Sequence, residues 1–190
     1  MSTYLIELHS VSKWFKDNRV ITEFSHNFKR GSITLLLGEN GSGKTTLLKL
    51  ITGLYKPTSG LIKRHYKDFR YVPELQPITS DMHVITYITH IARLLGVKRN
   101  HMLEETLQLE LSKPLKSLSK GNTKKVLLYL SFIGSPEVVL MDEPLDGLDV
   151  GMQEEILKFI EKNQNITYII STHREHMFKM FKNREVIHFD

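Results

Sequence analysis

The pattern G-x-x-x-x-G-K-[ST] is matched without a gap by Gly38-Glu39-Asn40-Gly41-Ser42-Gly43-Lys44-Thr45-Thr46. The apolar run before it, residues 33–37, predicts a buried parallel strand, and the leucines within residues 45–54 predict a helix. Glycines at such a strand-to-helix turn let backbone N–H groups and the helix N-terminus face an anion. The chain is therefore expected to fold around a phosphate-binding loop, and every residue of the match except Glu39 is a candidate nucleotide ligand. Lys44 would contact the β- and γ-phosphates, and the Thr45 hydroxyl would bind Mg²⁺.

A second apolar run, residues 138–141, ends in the acids Asp142 and Glu143. A parallel strand here would place both carboxylates at the carboxyl edge of the sheet, where ligands bind. Asp142 is then a candidate Mg²⁺ ligand, and Glu143 is a candidate general base for the water that attacks a γ-phosphate. Considered alone, the two acids are equally compatible with helix capping or a solvated strand end.

Strand and helix patterns alternate along the chain, which predicts an α/β fold. We expect a P-loop NTPase core with a parallel sheet flanked by helices, an N-terminal antiparallel β region and an inserted helical lobe. One domain would span residues 1–190, with the lobe at about residues 73–135. The predicted strands are residues 5–11, 24–30, 33–37, 61–63, 70–72, 138–141 and 166–171, and the predicted helices are residues 45–54, 84–97, 102–111, 123–133 and 150–163.

Composition removes several classes of function. The chain has no cysteine, which excludes disulfides and thiolate metal sites, and it has no apolar run long enough to span a membrane. Its net charge of +5 is dispersed along the chain without an aromatic-basic stripe, so no nucleic-acid partner is expected. Use of ATP favours a cytoplasmic location.

The segment Leu118-Ser119-Lys120-Gly121-Asn122 lies shortly before the strand that ends in the two acids. It resembles the signature L-S-G-G-Q of ATP-binding cassette (ABC) transporter ATPase subunits, from which Lys120 and Asn122 depart. Ser119 would begin a helix, and its hydroxyl, the Gly121 amide and the helix dipole can face an anion. An ordinary N-cap role for Ser119 is compatible with this interpretation.

The resemblance implies a second ATPase subunit, identical or different, so that two chains sandwich two ATP molecules head to tail. It also implies separate transmembrane permease subunits, on whose inner membrane face this chain would be peripheral. Asp149 would communicate between the two sites, although an N-cap role is an equal alternative. His173 follows a predicted buried strand and would contact the γ-phosphate and position the attacking water.

Two further positions follow from the resemblance. Phe15 corresponds to the adenine-stacking aromatic, with Trp14 as the alternative one residue earlier. Glu74 stands where the family has a glutamine, and Gln76 is a possible substitute for that glutamine. With Mg²⁺ present, Glu74 would act as a metal ligand in catalysis, whereas without metal its carboxylate would repel ATP.

The expected function is an ATPase subunit that dimerises on ATP and drives transport by separate membrane subunits. The short chain and Lys120 favour an exporter. One alternative is a soluble ABC ATPase acting on ribosomes or DNA, and another is a regulatory module that binds ATP but hydrolyses it weakly.

Overall fold

The computed structural model describes residues 3–74 and 78–189. The described strands are β1 (Tyr4–Phe15), β2 (Asn18–Lys29), β3 (Ile33–Gly38), β4 (Ser59–Arg64), β5 (Phe69–Val72), β6 (Val138–Asp142), β7 (Thr167–Thr172) and β8 (Glu185–Phe189). The α-helices are α1 (Lys44–Thr52), α2 (Val84–Leu94), α3 (His101–Thr106), α4 (Lys120–Phe132) and α5 (Val150–Lys162). Short 3₁₀ turns cover Leu115–Ser117 and Glu175–Phe178.

Five strands form a parallel sheet in the order β5-β6-β7-β3-β8. Every residue of β6 and β7 is buried, which is typical of parallel strands covered on both faces. Leu37 of β3 pairs with Thr172 of β7, and Asp142 of β6 pairs with Ser171 of β7. The carboxyl ends of these three strands therefore meet at one edge of the sheet, where α/β proteins bind ligands.

The parallel sheet separates two apolar cores. One core joins the sheet to α2, α3, α4 and α5, with Tyr129 and Ile156 among its fully buried members. The other joins Leu47 and Leu48 of α1 to the opposite face of the sheet and to Leu5 of β1. Because burying one such side chain is worth about 1.5–3 kcal/mol, these two cores hold the edge strands and helices around the central sheet.

The remaining strands form a separate antiparallel sheet in the order β2-β1-β4. The α/β fold class predicted from the sequence, with its parallel sheet and N-terminal antiparallel region, is confirmed. The helices α2, α3 and α4 lie between β5 and β6 in the chain, where the sequence predicts a helical lobe. Within the described ranges, none of the helices combines the length and the apolar character that crossing a membrane requires.

Several element boundaries differ from the sequence-based prediction. β1 ends later than predicted, at Phe15, and β2 begins earlier, at Asn18. The two strands pair as one long hairpin, and its pairing register shifts at several points. The helix predicted over residues 102–111 is confined to His101–Thr106, and Gln108 beyond it has a positive φ of 51°, which is incompatible with a continuing helix. The sequence analysis missed β8 altogether.

Candidate functional site

A cavity of about 460 Å³ opens at the carboxyl edge of the parallel sheet. It brings together residues that are far apart in the sequence but share this edge, since they follow β3, β5 and β6 or end β1. Most of the predicted nucleotide and metal ligands meet there. The lining consists of Phe15, Val20, Asn40, Gly41, Gly43, Lys44, Thr45, Thr46, Glu74, Asp142 and Glu143.

The phosphate-binding loop is folded as the sequence predicts, at the turn between β3 and α1. Gly43 precedes the helix with a φ of 105°, and a Cβ there would lie 3.0 Å from the Val20 carbonyl oxygen, so the position requires glycine. The Lys44 ammonium donates to the carbonyl oxygens of Gly38 and Glu39, each at 2.7 Å, and is held along the loop. The buried Ser42 hydroxyl has no hydrogen-bond partner among the described residues, so it is free to donate a hydrogen bond to a ligand oxygen.

Asp142 joins the end of β6 to α1 and to β7. Its Oδ2 accepts a hydrogen bond of 2.6 Å from the Thr45 hydroxyl, and its Oδ1 accepts one from the Ser171 hydroxyl. Burial, with the Asp142 charge as the second cause, raises the pKa of the neighbouring Tyr71 hydroxyl, so this phenol stays protonated. Thr45 and Asp142 supply the hydroxyl and carboxylate oxygens that Mg²⁺ prefers, and these two residues fit a magnesium site.

Glu143 is held in a strained and buried position. Its backbone has a φ of 43°, a left-handed conformation that is uncommon outside glycine, and the residue is 5% exposed. Its amide donates to the Ser171 carbonyl and hydroxyl oxygens, both at 3.2 Å, and its Oε1 lies 3.1 Å from His173 Nδ1. Strain of this kind persists where the surroundings enforce it, which is common at catalytic positions. The structure thus joins the two groups predicted to act on the attacking water.

The two candidate aromatic residues differ in their surroundings. Phe15 lines the cavity and packs edge-on against Tyr55, with ring centroids 5.4 Å apart. Trp14 is absent from the cavity lining and is covered instead by the Arg19 guanidinium, 4.9 Å from its ring centre. Of the two alternatives, the geometry therefore favours Phe15 as the ring that meets a base.

Glu74 lines the same cavity as the phosphate-binding loop and Asp142. Its backbone carbonyl accepts a hydrogen bond of 2.8 Å from Lys124 of α4. Gln76, the alternative to Glu74, lies outside the described residues.

Gly38 and Ser42 of the phosphate-binding loop and His173, which contacts Glu143, are not among the residues that line the cavity. Three other predicted site residues are also absent from the lining and lie at the starts of α4 and α5. Ser119 is the N-cap of α4, and its hydroxyl accepts the Asn122 amide at 3.2 Å, while Asp149 caps α5 by accepting the Met152 amide at 2.9 Å. Gly121 is needed for close packing, since a Cβ there would lie 2.6 Å from the Gly147 carbonyl oxygen. The close approach of Gly121 to Gly147 brings the start of α4 against the loop before α5, and the described cavity lining includes none of the three residues.

Sequence reasoning missed Val20, which lines the cavity, and two residues that contact the cavity's lining residues. Ser171 was read only as part of the segment before His173, although its hydroxyl bonds to Asp142 and its backbone to Glu143. Lys124 lies in a segment predicted only as a helix, although its ammonium donates to carbonyl oxygens after β5 and at the end of β6. Lys124 lies three residues before Leu127 and four before Leu128, which places it on the same apolar face of the helix. This spacing was the sequence signal that its side chain would be buried.

Comparison with known proteins gives consistent results. The sequence profile of the family described as "ABC transporter" matches residues 21–146. The zinc import ATP-binding protein ZnuC of Rickettsia prowazekii is 35% identical over 196 residues, which cover 98% of this chain and 83% of that protein. The spermidine/putrescine import ATP-binding protein PotA of Legionella pneumophila is 32% identical over 212 residues, covering 98% of this chain and 57% of that protein. A solved ATP-binding subunit of an ABC transporter superposes with a TM-score of 0.81 at 26% identity, covering 89% of this chain and 79% of that one.

Proposed function

This chain belongs to the ABC transporter family as an ATP-hydrolysing subunit, and we propose that ATP binds in the cavity at the carboxyl edge of its parallel sheet. The observation that carries this proposal is one cavity lined by the phosphate-binding loop, Phe15, Asp142 and Glu143. The loop amides and Lys44 would hold the phosphates, and the Phe15 ring would stack on adenine. We treat residues 1–190 as a single ATPase domain.

The remaining residues around the phosphates would carry out hydrolysis. Thr45 and Asp142, with Glu74 beside them, would hold Mg²⁺, which when bound neutralises phosphate charge. Glu143 would accept the proton of the attacking water, and His173 would contact the γ-phosphate and orient that water. Phosphoryl transfer of this kind needs positioning and charge stabilisation more than covalent chemistry, and these side chains supply both.

The export direction predicted from Lys120 and the chain length is not supported, because the relatives at 35% and 32% identity are named as import ATP-binding proteins. We propose an import subunit instead. The two relatives are named for different cargoes, zinc and polyamines, which supports selection of cargo by other subunits of the transporter. We place this chain at the cytoplasmic face of the membrane, against separate permease subunits, and zinc is the first cargo to test.

ATPase subunits of this family dimerise and pair with membrane permease components. For this chain we propose a head-to-tail dimer in which Ser119 and Gly121 of one subunit complete the ATP site of the other. Their position outside the cavity lined by their own phosphate-binding loop supports this arrangement. Asp149 caps α5 and follows the loop whose Gly147 contacts Gly121. In the proposed dimer it would lie where the two ATP sites communicate.

Mixing two inactive variants tests the proposed dimer. Lys44→Ala removes a phosphate contact, whereas Ser119→Asp keeps an N-cap oxygen but adds a negative charge opposite the partner's phosphates. A mixed dimer has one intact site, so an equal mixture should recover about a quarter of the parental ATPase activity, while each variant alone stays near zero. Specific activity of the parent should also rise steeply with protein concentration. A mixture no more active than its components would contradict the shared site.

Replacing Phe15 tests the assignment of the adenine-binding ring. Loss of base stacking costs about 1–3 kcal/mol, so Phe15→Ala should weaken ATP binding by about 5- to 150-fold. Affinity for inorganic tripolyphosphate, which has no base, should not change. Trp14→Ala is the matched control and should bind ATP as the parent does. Calorimetric titration of the three proteins measures both ligands, and an ATP affinity lowered by Trp14→Ala alone would reverse the assignment.

A further inference from the structure

Lys124 is a buried lysine whose ammonium is bonded to main-chain atoms. The residue is 5% exposed, and its Nζ donates to the carbonyl oxygens of Pro73 at 3.2 Å, Glu74 at 2.8 Å, Glu143 at 3.2 Å and Asp142 at 3.5 Å. Three N–H donors are thus shared among four acceptors. Hydrogen bonds from a charged donor are stronger than neutral ones, so this cluster is a firm connection between the loop after β5 and the end of β6.

The same ammonium connects the two loops to a third element. Lys124 belongs to α4, the helix that begins after Ser119 and carries Gly121 in its first turn. Pro73 and Glu74 begin the segment that leads from β5 into α2 and α3. A displacement of α4 or of this segment therefore acts through Lys124 on the backbone that carries Asp142 and Glu143.

The connection meets the backbone at Glu143, a non-glycine residue with a positive φ. Glu143 has a φ of 43°, and its peptide groups are restrained on both sides. Its N–H is held by Ser171, and its carbonyl oxygen accepts from Lys124 as well as from the Asp146 amide at 3.3 Å. Removing the ammonium would leave the Ser171 side intact and the carbonyl held by the Asp146 amide alone, a weaker restraint that lets the left-handed conformation relax and the carboxylate move.

We propose that Lys124 is a positioning residue that holds Glu143 in its catalytic conformation and couples it to the loop at Glu74 and to α4. The inference rests on the proposed function of Glu143. Lys124 does not line the 460 Å³ cavity but a separate one of about 320 Å³, together with Glu74, Leu118 and Lys120, so it acts through the backbone and not on the nucleotide.

The charges around the ammonium are consistent with this role. Burial lowers the pKa of Lys124, while the charges of Asp142, Glu74 and Glu143 oppose that change. The buried cation thus attracts three carboxylates of the site electrostatically, and its charge reduces their mutual repulsion. A neutral side chain of the same length would lose both the hydrogen bonds and this compensation.

The test compares Lys124→Met with Lys125→Met. Lys125 is the next residue of α4, is also buried at 8% exposure, and donates to none of the four carbonyls, so its substitution removes a similar ammonium from the same helix. We expect Lys124→Met to lower kcat about 10- to 100-fold with KM within about threefold of the parent, and Lys125→Met to stay within about threefold for both. Amide hydrogen exchange should become faster in Lys124→Met both after β5 and after β6.

Several outcomes separate the possibilities. Lys124→Met could have a lower melting temperature and yet the same kcat per folded molecule as Lys125→Met. That result would mean that Lys124 only stabilises the fold, and it would overturn the inference. Lys124→Gln keeps two N–H donors without the charge and should lose less activity, and it serves if the methionine variant does not fold. A parent without turnover would contradict the proposed function instead, and the exchange comparison would then decide the role of Lys124 by itself.

Discussion

Glu143→Gln should lower the rate of ATP hydrolysis by about 10²- to 10⁴-fold, the range that general-base catalysis contributes, and leave ATP affinity nearly unchanged. The amide has the size of the carboxylate and can keep a hydrogen bond to His173, 3.1 Å from Glu143 Oε1. It cannot accept the proton of the attacking water at neutral pH. Because it also removes a negative charge from the cavity, any change in ATP affinity should be toward tighter binding.

Phosphate release under saturating Mg²⁺-ATP and calorimetric ATP titration measure the two quantities separately. The matched control is Glu154→Gln, the same substitution on the exposed side of α5, which should have parental values in both measurements. Full turnover in Glu143→Gln would refute its assignment as the base. Loss of ATP binding together with turnover would instead indicate that the substitution disturbs the strained backbone at this position.

Local patterns were sufficient to predict the phosphate-binding loop, the strand ending in Asp142 and the histidine after β7. Each is a short apolar strand followed by polar residues, and the rule that parallel strands share a carboxyl edge then places the groups together. The contact of His173 with Glu143 and the hydrogen bond between Thr45 and Asp142 follow from that rule, although the two pairs are 30 and 97 residues apart.

Other features depend on contacts that a local pattern does not contain. The segment of β8, residues 185–189, alternates weakly, and its position at the sheet edge is fixed by pairing with β3. The sequence predicts that the Gly121 amide faces an anion, but it does not show that the Gly147 carbonyl also leaves no room for a side chain at this position. The role of Lys124 is likewise not visible in a local pattern, because the carbonyls it contacts come from the loop after β5 and from the end of β6.

Glu74 gives the other large expected effect, which concerns nucleotide binding and not turnover. Glu74 is one of the residues that line the cavity, together with Lys44 and Asp142. A carboxylate 4 Å from a phosphate charge costs about 4 kcal/mol at an effective dielectric of 20, which corresponds to nearly three decades in affinity. The Lys124 ammonium, whose charge Glu74 attracts, offsets part of this repulsion. With Mg²⁺ bound, the same carboxylate becomes an attractive oxygen ligand.

We therefore expect the parent to bind ATP at least about tenfold, and up to about a thousandfold, more weakly in EDTA than in Mg²⁺. Glu74→Gln should bring this ratio of affinities close to one by strengthening metal-free binding, because it removes the repulsive charge. Glu39→Gln is the control, since it neutralises another carboxyl beside the phosphate-binding loop that is absent from the cavity lining, and its ratio should match the parent's. Calorimetric titration with ATP in each buffer gives the four affinities needed for each comparison. Equal affinities in Mg²⁺ and EDTA for the parent would mean that the Glu74 carboxylate does not act on the phosphates, and the metal-binding role proposed for it would fall with that result.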